Sequence, residues 1–125
     1  MVSWLAVAVA GALGATTRYL VDHLVSARLS TVFPWGTFVI NVSGSFLAGI
    51  VTGLLLAGRV SPPVATVVAG GFLGAYTTFS TAMYETARLL EDGATRVAVG
   101  NLLLPLAASV AAAGLGWGLT LAMLG

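Results

Sequence analysis

Three groups of residues in this sequence have the types and spacing to do chemistry. The first is a stripe. Thr37, Asn41 and Ser45 recur every four residues, which stacks their side chains on one face of a helix. Hydroxyl, amide and hydroxyl offer donors without formal charge, and Asn41 alone carries two N–H donors and a carbonyl acceptor. Such a stripe reads either as a polar path or as an amide bonding a neighbouring helix as packing glue. The second group is Gly70-Gly71-Phe72-Leu73-Gly74-Ala75-Tyr76-Thr77-Thr78-Phe79-Ser80-Thr81, where four hydroxyl residues surround Phe79 just after three glycines. The third is Arg18, with Asp22 one helical turn on. It reads either as a snorkelling cation paired with that acid or as an anion attractor at a pore mouth.

Other chemistries are poorly served. There is no cysteine, so thiolate metal sites and disulfides are excluded. The single histidine is His23, and the four acids (Asp22, Glu85, Glu91 and Asp92) do not cluster with it, whereas a metal centre needs converging ligands. No nucleophile–base pair is placed to act, so no enzyme is expected. A net charge of +1 gives no footprint for nucleic acid.

The elements that must position these groups are set by composition. Of 125 residues, 58% are hydrophobic and 7% charged, against about 25% charged in soluble domains. So few charges cannot cover a soluble surface, and lipid must be the solvent for most of the chain. A crossing takes about 20 apolar residues, so the sequence predicts an all-α membrane protein, one domain over residues 1–125 with four transmembrane helices near 2–25, 35–57, 63–90 and 96–123. Residues 1–13 lack a basic start and read as helix, not as a signal peptide. Arg28, Ser30 and Pro34 mark the first loop, Gly58 to Pro63 a turn, Glu91-Asp92-Gly93 the end of the third span, and Pro105 a kink in the fourth. Tyr19, His23 and Tyr84 read as interfacial anchors.

The third span stands out. Glycine and β-branched residues make a poor helix centre, so a break is expected near its middle, where Gly74 and the Thr77–Thr78 pair coincide. A break frees carbonyls at membrane depth, tolerated only inside protein or beside a cavity, where carbonyls can hold a cation. Counted by loops, one side carries Arg59 and the amino terminus, the other Arg28, Arg88 and Arg96. That small bias is compatible with one orientation or with both; in the second case two opposed copies would pair.

Three segments carry a family resemblance: Gly11-Ala12-Leu13-Gly14-Ala15-Thr16-Thr17-Arg18-Tyr19; Gly36-Thr37 with Asn41 and Gly44-Ser45-Phe46; and Gly71 through Thr81. With the four-span layout, the chain resembles the Fluc/CrcB family of small fluoride channels over essentially its whole length, and the third segment is the most specific. The resemblance implies a passive fluoride channel in the cell membrane that exports cytoplasmic fluoride and gives fluoride resistance. It implies an antiparallel, dual-topology dimer with two pores, and a structural sodium ion at the dimer centre. Carried over by residue, it implies sodium ligands in the carbonyls of Gly74 and Thr77, pore residues Asn41 and Phe79, a vestibule Arg18 and a pore-end Glu85. Where the family places a second phenylalanine, this chain has Ala82. That departure leaves homodimer and heterodimer with a paralogous subunit both open.

The physics agrees. Fluoride is small and strongly hydrated, so a narrow pore must replace water with donors. Hydroxyls and an amide donate, and the electropositive edge of an aromatic ring can face an anion. A full charge would bind too tightly to conduct. Thr37, Asn41, Phe79, Ser80, Thr81 and Ser109 are neutral and suit such a path. Two other readings remain. A proton-coupled small multidrug transporter needs an acid deep in the first span, where this chain has none. A non-conducting partner subunit is kept alive by Ala82.

Overall fold

The computed structural model describes residues 3–125, and every regular element among them is helical. The first helix, Trp4–Arg28, is N-capped by Ser3, whose hydroxyl accepts the Ala6 amide at 3.3 Å. Its expected start at residue 2 lies outside the described residues. Its end is later than expected: Arg28, read from sequence as loop, is the last helical residue. A cation there faces the negative end of the helix dipole, which favours extending the helix to it.

The second helix, Trp35–Leu56, follows Pro34. Its entry is fixed by packed aromatics, Phe33 against Trp35 at 4.6 Å and Trp35 edge-on to Phe38 at 5.4 Å between ring centroids. It ends as the turn signal predicts. Gly58 adopts φ of 68°, its amide donates to the Leu55 carbonyl and that of Arg59 to Leu54. This pair of bonds satisfies carbonyls that a helix end leaves open, and the left-handed residue between them favours glycine. Gly93, at φ of 77°, repeats the device after Glu91, with Gly93 bonded to Leu90 and Ala94 to Leu89.

The third span is built of pieces. Prolines open a short helix, Pro62–Ala65, which continues as a wide π-helical stretch, Thr66–Leu73, and then as Gly74–Tyr76. Residues 77–79 lie outside the helices, with Thr77 extended, and a second helix runs over Ser80–Glu91. The last helix, Thr95–Leu124, passes through Pro105 without interruption. Among the described residues, three helices (the first, second and last) are long and apolar enough to cross a membrane. The divided third span does not qualify as one such helix, because its break splits it into shorter segments.

Packing divides along the same line. The second helix lies along the last. A Cβ at Gly49 would overlap the Ala113 carbonyl, and one at Gly116 the Phe46 carbonyl, so only glycines allow the two backbones to sit this close. The first helix packs on the part of the third span before the break, and the part after the break packs on the last helix. Ile40, Leu73 and Tyr76 form the buried centre, flanked by Val21, Ala48, Val51 and Phe72. Leu13, Leu20, Leu103 and Val110 lie exposed. A continuous apolar exterior of this kind is expected of a protein whose solvent is lipid.

Candidate functional site

The break is made by competition for backbone hydrogen bonds. Thr77 stops the helix: its amide and its hydroxyl both donate to the Leu73 carbonyl, at 2.9 Å each, and its backbone then turns extended, with ψ of 159°. The next amide, Thr78, would bond the Gly74 carbonyl in a continuous helix. It donates instead to Oδ1 of Asn41 at 2.8 Å, and Nδ2 of Asn41 donates back to the Thr78 carbonyl at 2.8 Å. Asn41 thereby clamps the Thr78 peptide with both ends of one amide. The Thr81 amide, helical partner of the Thr77 carbonyl, donates to the Thr78 hydroxyl at 3.2 Å, the kind of bond an N-capping threonine makes at a helix start.

The break takes helical amide partners from the carbonyls of Gly74 and Thr77, the two expected to hold a cation, and no main-chain bond across it reaches Ala75 or Tyr76 either. The Thr77 carbonyl already accepts from a positive group, Nη1 of Arg18, at 3.4 Å. Arg18 thus reaches the break, while its sequence neighbour Asp22 accepts from the Ser26 hydroxyl at 3.3 Å. Of the two readings left open for Arg18, the pairing with Asp22 gives way to a contact across helices. The physical reason is that an unpartnered carbonyl at membrane depth is a costly acceptor to leave open.

Beside the break lies a groove of about 440 Å³. It brings together Asn41, Phe79 and Ser109 of the expected pore set, with Gly74 and Thr77 in its wall. Phe79 is 78% exposed, so its ring fills none of this chain's core and is free to face a second chain or a passing ion. The remaining expected residues fall elsewhere. Ser80 and Thr81 are exposed outside the groove wall and bond the Thr78 hydroxyl, at 3.4 and 3.0 Å. Thr37 is buried and donates its hydroxyl to Glu85, joining the second helix to the segment after the break. The stripe Thr37, Asn41, Ser45 shares one face as expected, but Thr37 serves the Glu85 contact while Asn41 and Ser45 serve the groove.

Sequence reasoning overlooked two polar contacts. Ser43 and Tyr76 share a hydrogen bond of 2.9 Å within the buried centre. Asn101, 2% exposed, donates from Nδ2 to the Thr86 hydroxyl at 2.9 Å and to the Ala82 carbonyl at 3.3 Å. Asn101 also lines the groove. A signal was present: a side-chain amide within an apolar span is itself a functional pointer. Among the described residues no group of three or more histidine, cysteine or acidic side chains converges.

The sequence has relatives. A family described as CrcB-like protein, Camphor Resistance (CrcB), matches residues 5–117. A fluoride-specific ion channel FluC 1 of Frankia casuarinae is 45% identical over 98% of this chain and 99% of its own length. FluC 1 of Streptomyces avermitilis is 44% identical, covering 89% of this chain and 90% of its own, and FluC 2 of Mycobacterium bovis is 44% identical over 90% and 86%. With a family match over residues 5–117 and a relative 45% identical over nearly its whole length, the chain belongs to the CrcB-like family.

Proposed function

We propose that this chain forms a passive, fluoride-selective channel in the cell membrane and relieves the cytoplasm of fluoride. The observation that carries the reading is the groove beside the break. It gathers an amide, a hydroxyl and an exposed aromatic ring, Asn41, Ser109 and Phe79, with no charged side chain in its wall. Neutral donors replace fluoride's water without holding the ion too tightly to leave. Arg18 at the break supplies positive potential nearby, and Glu85, held by Thr37, stands further along the same segment.

The working unit is an antiparallel pair of chains inserted both ways up. One chain offers the carbonyls of Gly74 and Thr77, and a second would bring the same two. Four neutral oxygens suit a monovalent cation such as sodium, since calcium and magnesium sites normally include carboxylates. Bound there, the ion would tie the two breaks together electrostatically, and the flux would stay passive.

Ala82 favours a second form of the pair. It stands in the groove wall where the family resemblance leads one to expect an aromatic ring, and relatives carry the names FluC 1 and FluC 2. A heterodimer with such a paralogue would supply the missing ring from the other chain.

The deciding experiment is anion efflux from liposomes holding this chain alone. Fast fluoride efflux with chloride retained supports a self-sufficient channel. Efflux only after co-reconstitution with a paralogous chain supports the heterodimer. Chloride leaking as readily as fluoride, or fluoride flux needing a sodium gradient, overturns the proposal.

A further inference from the structure

Asn41 is not alone in facing the break. One turn of the second helix, residues 40–44, meets three successive residues of the third span. Asn41 clamps the Thr78 peptide after the break. Gly44 gives the Thr77 methyl its room: a Cβ there would overlap Cγ2 of Thr77 and crowd the Tyr76 ring. Ser43 holds Tyr76 before the break, with Oγ and the phenol oxygen 2.9 Å apart.

The direction of that last bond follows from its neighbour. The Ser43 hydroxyl donates to the Ile40 carbonyl at 3.2 Å, and a serine hydroxyl has one proton to give. The proton between the two oxygens is therefore the phenol's. Tyr76 donates to Ser43, and Ser43 donates to the backbone of the turn that carries Asn41. Tyr76 is buried and its ring stacks on Phe72, with centroids 6.0 Å apart, so its hydroxyl adds direction to a side chain already packed. Direction is what this segment lacks. Tyr76 closes the short helix Gly74–Tyr76, and no main-chain bond across the break reaches the carbonyls of residues 74–77. Side chains at the end of the segment must aim them instead. Tyr76 stands between the two carbonyls expected to hold a cation, with Gly74 two residues before it and Thr77 directly after.

We propose that Tyr76 is a positioning residue: its hydrogen bond to Ser43 aims the Gly74 and Thr77 carbonyls at the cation, as Asn41 fixes the chain beyond them. The inference rests on the sodium reading above, and it concerns sodium affinity, not the ion path.

The test follows the melting temperature of the detergent-solubilised protein as sodium replaces N-methylglucamine at constant ionic strength. An ion bound only by the folded pair raises that temperature once its concentration exceeds the dissociation constant. Tyr76→Phe keeps the ring and removes the bond. It should move the onset to about tenfold higher sodium, the effect of one lost hydrogen bond. At saturating sodium its fluoride efflux and its exclusion of chloride should equal the parent's. Ser43→Ala should shift the onset by as much or more, because it leaves a buried phenol unpaired. The double variant should be no worse than Ser43→Ala, since the two residues share one bond. If either single variant fails to fold, the other carries the comparison with the parent.

A Tyr76→Phe protein that melts lower by the same amount at every sodium concentration, with its onset unmoved, makes Tyr76 packing only and overturns the inference. So do single-variant shifts that add in the double variant. A parent whose melting is indifferent to sodium sinks the sodium reading together with this one. A sodium-dependent parent with an unmoved onset in Tyr76→Phe sinks this one alone.

Discussion

The third span holds two regions made in opposite ways. Before the break, residues 62–76 are glycine-rich and apolar, and they meet the first helix backbone to backbone: a Cβ at Gly14 would overlap the Phe72 carbonyl, and one at Gly71 would crowd Val7 and Ala10. After it, Ser80–Glu91 is held by side-chain hydrogen bonds, Thr37 to Glu85 and Asn101 to Thr86. Where it meets the first helix, the first region leaves little room for added volume, and it has little polar chemistry. The second is fastened by polar groups, one of which, Asn101, also lines the groove. Shape holds one end of the span rigid, while exchangeable polar contacts hold the other. The break is the joint between them, with Asn41 as its clamp.

That contrast can be broken most severely on the rigid side. Gly14→Leu forces side-chain atoms into the Phe72 carbonyl, and relief requires moving a helix. Overpacking of this kind costs about 3 kcal/mol or more, so size-exclusion chromatography should show loss of folded protein and, with it, of fluoride flux. Gly100→Ala, with nothing within 4 Å of its added Cβ, should fold like the parent. A well-folded Gly14→Leu protein would refute the close-approach account.

At the joint, Asn41→Asp should cut fluoride flux about a hundredfold, roughly 2.7 kcal/mol. An aspartate still accepts the Thr78 amide, but its second oxygen then faces the Thr78 carbonyl, and its charge repels anions from the groove. Thermal stability should fall as well, by about 1–3 kcal/mol for the buried mispairing. Unchanged flux would remove Asn41 from both roles.

Phe79→Ile should act on flux and hardly on fold. The ring is exposed in the chain, so stability should change by less than about 0.5 kcal/mol, while loss of the ring edge lowers fluoride efflux about tenfold, roughly 1.4 kcal/mol. Equal flux in the variant would make the ring filling between chains.

The smallest effect is expected of Thr37→Val, which removes the donor to Glu85 and keeps the volume. A drop of about 1 kcal/mol in stability and a flux within about fivefold of the parent would sharpen the view of this contact as a fastener beside the path. A collapse of selectivity, measured as chloride efflux, would move Thr37 into the path itself.

The sequence by itself determined the spans, their turns and the break. Lipid as solvent demands long apolar helices, and Gly58 and Gly93 end two of them because only glycine takes their left-handed angles without strain. Gly74 with Thr77 and Thr78 announces a weak point because these residues support helix poorly and their hydroxyls compete for its carbonyls. Asn41, Phe79 and Ser109 were legible as polar or aromatic groups at membrane depth, and the structure brings them to one groove. What only the tertiary structure decided is which partner each polar group takes. Nothing in local spacing says that Asn41 clamps Thr78, that Arg18 leaves Asp22 for the Thr77 carbonyl, or that Asn101 reaches Ala82. These contacts join residues 19 to 59 positions apart. At such separations helix packing brings donor and acceptor together, and the cost of an open carbonyl in an apolar interior selects the pair.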